Sequence, residues 1–190
     1  MIEVIEQNSN FTLKRIDELE GMTFFVEAYQ RGYKWDVQQV LDLLNDIDEF
    51  ETVGSRFYCL QPVVVKKLDE NDARIAEKQI KNKNTVYELI DGQQRLTTTY
   101  IIISLLANNK LPFQLIYRTR PESESFLNKI ANLQAVKFNL QPDNIKETNI
   151  VLNDIWKQQI ENTTAIDNVD NYPFFKTCLL VHQRLPGKDI

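Results

Sequence analysis

Residues 85–106 read TVYELIDGQQRLTTTYIIISLL, in which two apolar segments are separated by five consecutive polar residues. The first segment is short and rich in strand-forming residues, whereas the second is long enough for a buried helix. Asp-Gly at the junction is typical of a turn. We therefore predict a buried strand over residues 85–90, a tight corner, and a helix after Arg95 that ends at two asparagines.

The remaining segments combine strand and helix patterns, which predicts an α+β fold. Asp36 and Gln39 form a capping-box pattern before a helix, and Pro62 is expected at a strand edge, a bulge or a strand start. Residues 66–84 are polar and predict a solvated loop or hairpin. Strands are predicted within residues 22–28, 56–67 and 113–117, and helices within residues 11–19, 37–50, 122–133, 148–156 and 174–185.

Composition excludes several classes of protein. The chain has 190 residues, 43% of them hydrophobic, so it can bury a core, and its net charge of -5 provides no overall positive field for nucleic acid. No signal peptide or membrane-spanning segment is evident, and we expect a cytoplasmic protein. His182 is the only histidine and the two cysteines are far apart, which excludes a multi-histidine zinc site and an HNH-type nuclease centre.

The polar corner is a candidate anion site, because a helix N-terminus presents free N–H groups and the positive end of a dipole. Gly92 permits close approach of a phosphate, Arg95 can bind two phosphate oxygens, and Asp91 can hold a divalent cation or orient a water. The alternative is that Asp-Gly is only a turn and the glutamines are solvated. The candidate residues are Asp91, Gly92, Gln93, Gln94, Arg95, Thr97, Thr98 and Thr99.

A second candidate segment, YQRGYKW over residues 29–35, mixes aromatic and cationic residues. Arg31 and Lys34 can reach phosphates, while Tyr33 or Trp35 can stack on a base. The alternative is that Tyr29 and Trp35 belong to the core and that Arg31 pairs with an acidic neighbour.

Together, QRGYKW and DGQQRLTTT resemble the N-terminal ParB/sulfiredoxin-like domain of GmrSD-type (type IV) restriction enzymes. The resemblance is strongest over residues 24–106 and weak beyond residue 139. It implies a ParB-like domain at residues 1–139, with a small mixed sheet and packed helices, and a helical extension at residues 140–190 that is part of a longer protein.

The resemblance also implies a function in restriction and antiphage defence. The domain is expected to bind and hydrolyse a nucleoside triphosphate with Mg²⁺, and an HNH-type nuclease outside this chain cuts modified DNA. Carried over to this sequence, the catalytic residues are Asp91, Gln93 and Arg95, with Asp91 also the candidate metal ligand. The nucleotide-binding residues are Gln30, Arg31, Tyr33, Lys34, Trp35, Gly92, Gln94, Thr97 and Thr98.

Two further alternatives stay open. The domain can instead be a non-hydrolysing module that binds DNA or a partner, or it can be a purely structural domain in which neither motif lines a cavity. The assembly can be a homodimer. No Walker A pattern competes with this reading, because the only Gly-Lys pair lacks the upstream glycine and the following Ser/Thr.

Overall fold

A computed structural model describes residues 2–6, 10–50, 57–69, 71–77, 85–107, 113–130, 144–162, 168 and 170–185. Within these residues the strands are β1 (Ile2–Glu6), β2 (Asn10–Lys14), β3 (Thr23–Val26), β4 (Leu60–Lys67), β5 (Val86–Asp91) and β6 (Gln114–Tyr117). The helices are α1 (Val37–Glu49), α2 (Ala73–Glu77), α3 (Gln93–Leu106), α4 (Pro121–Asn128), α5 (Ile145–Asn162) and α6 (Asn171–Arg184). A short 3-10 helix spans Asp17–Leu19.

The strands form one mixed sheet in the order β2-β1-β4-β5-β3-β6. Strand β3 runs parallel to β5 and β6, β1 runs parallel to β4, and the β1–β2 and β4–β5 pairs are antiparallel. The α+β class and the mixed sheet with packed helices are confirmed. The ParB-like identity of the fold stays a prediction.

Pro62 lies in an interior strand, at a position where the ladder is interrupted. The register between β1 and β4 shifts between Ile2 and Val4, opposite Leu60 and Val63, and the pairing of β4 with β5 begins only at Val64. A proline cannot donate a ladder hydrogen bond, so it is tolerated at such an irregularity. The bulge is one of the three placements expected for Pro62.

Residues alternate between the two faces of the sheet, and most of the core lies on one face. On β3, Phe24 and Val26 enter the large core, while Phe25 joins a smaller cluster with Leu68, which Ile75 of α2 partly covers. Helix α3 is buried along most of its length and packs against α6. This explains why its sequence lacks the separate polar and apolar faces of a surface helix.

Helix α1 begins as its sequence predicts. The Asp36 carboxylate accepts a hydrogen bond from the Gln39 N–H at 3.3 Å, and the Asp36 N–H donates to the Gln39 side chain at 2.8 Å. The C-terminal helices join the same core, with Leu152 and Trp156 of α5 and Phe174 of α6 all buried in it. The division at residue 139 stays a prediction.

Some predicted elements are wrong. The helix expected over residues 11–19 is instead the end of β2, which pairs with β1, followed by the 3-10 helix. The polar stretch from residue 66 is not wholly a loop, because Lys66 and Lys67 complete β4 and α2 follows. Residues 78–84 lie outside the described residues, and so do residues 131–133 of the helix predicted over residues 122–133. Among the described helices, none combines the length and apolar character needed to cross a bilayer.

Candidate functional site

Gly92 forms the corner between β5 and α3. Its φ is 90°, in the left-handed region that glycine adopts without strain. A Cβ at this position would lie 3.0 Å from the Cα of Val63 and 3.3 Å from the carbonyl oxygen of Pro62. Glycine is therefore required here by the neighbouring strand β4, whether or not a ligand approaches.

Arg95, in the first turn of α3, reaches across to the bulge of β4. Its guanidinium donates to the Pro62 carbonyl at 2.6 Å and to the Gln61 side chain at 3.3 Å, and lies 3.9 Å from the Asp91 carboxylate. The buried Nε has no hydrogen-bond partner within the described part of the chain. Since a guanidinium carries five N–H donors, Arg95 retains the capacity to bind an anion. The Asp91 side chain is 74% exposed and available to a ligand.

Gln94 connects the corner to the segment Gln30–Trp35, which we call the motif loop. Its side-chain oxygen accepts from the backbone N–H of Lys34 at 2.6 Å and of Trp35 at 3.2 Å, and its nitrogen donates to the Gly32 carbonyl at 3.2 Å. From the other side, the Gln30 amide donates to the carbonyls of residues 89 and 90 in β5. The two sequence motifs therefore meet and hold each other in place.

Three of the predicted nucleotide-binding residues face the interior. Tyr33, Thr97 and Thr98 are fully buried. The Tyr33 hydroxyl lies 2.7 Å from the Thr98 hydroxyl and 3.0 Å from that of Thr177 on α6, and Thr97 bonds the Tyr117 hydroxyl at 3.3 Å. Burial raises the pKa of Tyr33 to about 12, so it stays neutral and able to donate. In this structure the hydroxyls of Thr98 and Thr177 hold the motif loop against α3 and α6, whereas Thr97 bonds β6.

Asp170, at the start of α6, is a functional candidate that the sequence analysis missed. It is fully buried, accepts from the Tyr33 N–H at 2.6 Å and from the Ser123 hydroxyl at 2.9 Å, and pairs with Arg120 at 2.9 Å. Arg120 also donates to the Gln30 carbonyl at 3.4 Å. These contacts fix the backbone on both sides of Arg31, whose own side chain is exposed. No local sequence signal marks them, because the partners lie far apart in the chain.

Gln93 is the first residue of α3 and is only 3% exposed. Its side chain lies close enough to Tyr117 to oppose the rise that burial gives to the pKa of that tyrosine, yet the described residues offer its amide no partner at ordinary hydrogen-bond distance and angle. An unsatisfied buried amide costs about 1–3 kcal/mol, so such a group calls for an explanation. A bound water or ligand at the start of α3 would supply one.

A cluster of ion pairs precedes the motif loop. Glu27 follows β3, is 5% exposed, and pairs with Arg74 at 2.6 Å and Arg118 at 3.2 Å, while Arg74 also pairs with Asp72 and Glu88. Burial raises the pKa of Glu27, but hydrogen bonds from Arg74 and Arg118 outweigh it and leave that pKa below its usual value. The hydrogen bond from Arg74 lowers the pKa of Asp72 to about 2. Glu27 and Asp72 are therefore ionised at neutral pH, and their ion pairs anchor the end of β3.

Next to Arg95 lies a cavity of about 230 Å³, which we call the α1 pocket. It is bounded by one face of α1, by the residues that lead into β4, and by Trp35 of the motif loop. Lys34 of the same loop is exposed to solvent. The lining residues are Trp35, Gln39, Asp42, Leu43, Asp46, Tyr58, Cys59, Leu60, Gln61 and Arg95.

The described residues offer no protein cage for a metal, since no three His, Cys, Asp or Glu side chains among them are grouped to hold one. Mg²⁺ in phosphate-transfer sites needs fewer protein ligands, because its other ligands are the substrate phosphates and water and only one or two carboxylates come from the protein. The exposed carboxylate of Asp91, beside the α3 N-terminus, fits that simpler role.

A family model described as "GmrSD restriction endonuclease, N-terminal domain" matches residues 10–185. The match includes both sequence motifs and runs through the boundary predicted at residue 139. No curated protein and no solved structure matches the chain.

Proposed function

This chain belongs to the family of GmrSD restriction endonuclease N-terminal domains, and we propose that it is the nucleoside-triphosphate-binding, regulatory part of such an enzyme. One observation carries the proposal: the Gln94 side chain bonds the backbone of Gly32, Lys34 and Trp35, so that the QRGYKW and DGQQR motifs form a single corner. Two motifs that resemble a nucleotide-handling domain are thus next to each other in space.

The corner has the chemistry that a polyphosphate requires. Arg95 is partly exposed and its terminal nitrogens carry N–H groups beyond the two that bond Gln61 and Pro62. Arg31 and Lys34 extend into solvent from the adjoining loop, and the N-terminus of α3 favours negative charge. The α1 pocket, at about 230 Å³, is smaller than the roughly 300 Å³ at which drug-sized ligand pockets begin. It therefore holds one part of the nucleotide, and the triphosphate lies over the open corner.

We extend the proposal to hydrolysis with Asp91, Gln93 and Arg95 in the roles predicted from sequence. When bound, Mg²⁺ would neutralise phosphate charge at Asp91. Gln93, whose amide is buried beside Tyr117, would turn outward on nucleotide binding to orient the attacking water, and Arg95 would stabilise the charge that develops on the phosphate. In the full-length enzyme, the nucleotide state of this domain would gate DNA cleavage by an HNH-type nuclease domain or subunit.

Isothermal titration of the protein with ATP, GTP, CTP and UTP in the presence of Mg²⁺ tests the binding proposal, and phosphate release measured on the same samples tests hydrolysis. We expect saturable binding of at least one nucleotide, followed by phosphate release. Binding without release would favour a non-hydrolysing module that binds DNA or a partner. If no nucleotide binds, both nucleotide proposals fail.

Arg95→Ala tests whether the corner binds the nucleotide, and Arg15→Ala is its control. Arg15 is exposed, follows β2, which β1 separates from β4 in the sheet, and pairs with Asp17, the first residue of the 3-10 helix. Arg95→Ala should weaken nucleotide binding at least about tenfold, because it removes a charge-assisted contact. Arg15→Ala should leave affinity unchanged. Equal effects of the two substitutions would show that only overall charge matters.

A further inference from the structure

The α1 pocket is lined by charges of both signs that come from different helices. Arg95 lines it from α3, whereas Asp42 and Asp46, one turn apart, line it from α1, and among the described residues no ion pair joins Arg95 to either carboxylate. A triphosphate is repelled by two carboxylates and attracted by a guanidinium. The charges that line the pocket therefore assign the phosphates to Arg95 and leave the two carboxylates for an uncharged group with N–H donors.

Both carboxylates are oriented by neighbours. The Gln38 amide donates to one oxygen of Asp42 at 2.6 Å, and the Tyr58 hydroxyl donates to one oxygen of Asp46 at 2.8 Å. Each carboxylate thus has one oxygen engaged and the other without a hydrogen bond from the described residues. Gln39 also lines the pocket, and its side-chain oxygen is already used in the α1 capping box, which leaves its amide N–H groups as donors.

The apolar side chains of the pocket suit a flat aromatic ring. Trp35 is half-buried and packs against the core, and the largely buried side chains of Leu43 and Leu60 also line the pocket. An indole gains about 1–3 kcal/mol from stacking on a base in single-stranded nucleic-acid sites. We propose that the α1 pocket binds the base of the nucleotide and selects guanine. This rests on the proposed nucleotide-binding function and deepens it.

Guanine is the base whose edge matches ionised carboxylates best. Its N1–H and its exocyclic N2 amino group are adjacent donors, which one carboxylate can accept together. Adenine and cytosine each present a ring-nitrogen acceptor beside their amino group, and uracil flanks its single N3–H with two carbonyl oxygens. The partial negative charge on these acceptors is repelled by the carboxylates of Asp42 and Asp46, which disfavours binding of these bases. The Gln39 amide supplies a donor suited to the guanine O6.

The two tryptophans allow a direct test. Trp156 is buried against Phe126 and Phe175, apart from the pocket, so Trp156→Phe leaves Trp35 as the only indole reporter. In that background, fluorescence is titrated with GTP, ITP, ATP, CTP and UTP plus Mg²⁺. We expect GTP to bind about tenfold or more tightly than ATP, and ITP, which lacks only the N2 amino group, to fall between them. Isothermal titration of the unsubstituted protein confirms the order.

Asp42→Asn with Asp46→Asn should lower GTP affinity about tenfold and leave ATP within about twofold, so the preference disappears. Asp154→Asn, an exposed carboxylate on α5, is the control and should change neither. Comparable affinity for all five nucleotides, or a preference that survives the double substitution, overturns the guanine proposal and leaves the proposed function standing. Failure of every nucleotide to bind overturns both.

Discussion

At the scale of single residues, the Gln94 carboxamide makes three hydrogen bonds to the backbone of the motif loop. Tyr33 also holds this loop, because its buried hydroxyl lies within hydrogen-bond distance of those of Thr98 and Thr177. Gln94 and Tyr33, which the sequence predicts to bind nucleotide, therefore hold in place the loop that carries Arg31 and Lys34. Substituting them changes stability and affinity together, whereas substituting the exposed cations should change affinity alone.

Gln94→Met tests the positioning role of Gln94, because methionine keeps the volume and removes both hydrogen-bonding groups. We expect a loss of about 1–3 kcal/mol in the free energy of unfolding, since the N–H groups of Lys34 and Trp35 lose their acceptor. Urea denaturation followed by circular dichroism measures it. An unchanged midpoint would mean that water replaces the carboxamide and that the loop does not depend on Gln94.

Gly92→Ala tests the close approach of β4 to the corner, and Gly21→Ala is its matched control. Both glycines have positive φ, at 90° and 77°, so both substitutions introduce left-handed strain of about 1 kcal/mol. Only at Gly92 does the new Cβ lie 3.0 Å from backbone of Val63. The melting temperature should therefore fall further for Gly92→Ala. Equal decreases would show that β4 moves aside without cost.

At the scale of elements, the patterns that were predicted correctly are local. The capping box at Asp36, the Asp-Gly corner and the strand predicted over residues 85–90, which is observed as Val86–Asp91, each depend on neighbours in sequence. The segment at residues 11–19 was mispredicted because pairing with β1 decides it. Likewise, the hydrogen bond from the Tyr33 N–H to Asp170 joins residues 137 positions apart, so the local sequence around neither residue predicts it. Long-range partners account for the part of the site that the sequence concealed.

Asp170→Asn tests the connection between α6 and the motif loop. The substitution keeps the size of the side chain and removes the charge that balances Arg120, so we expect the protein to lose about 3 kcal/mol of stability. Asp154→Asn breaks an exposed pair with Lys157 and should cost less than about 1 kcal/mol. Chemical denaturation of both variants gives the comparison. Similar small losses would show that Arg120 finds another partner and that the connection is not structural.

At the scale of the whole molecule, the ion-pair cluster around Arg74 predicts acid sensitivity. The pKa values of Glu27 and Asp72 lie below their ordinary values of 4.5 and 3.8 in the folded chain. A lowered folded-state pKa contributes stability above the unfolded-state value and loses it as pH falls through the folded-state value. The contribution is therefore present at pH 6 and declines from about pH 4.5 towards pH 2.

Glu27→Gln should accordingly be less stable than the unsubstituted protein at pH 6, because it leaves Arg74 and Arg118 without that partner. The difference should shrink as pH falls, since protonation of Glu27 removes the same charge. Urea midpoints at pH 6, 4 and 3 measure the trend. A difference that stays constant with pH would assign the effect to packing rather than to charge.

Nucleotide affinity measured for Arg31→Ala, Arg95→Ala and the control Arg15→Ala tests the central claim most directly, because the two motif arginines come from segments 64 residues apart. If the motifs form one triphosphate site, each of the first two substitutions weakens binding of the same nucleotide at least about tenfold, while Arg15→Ala does not. Unchanged affinity in either motif variant would contradict a shared site.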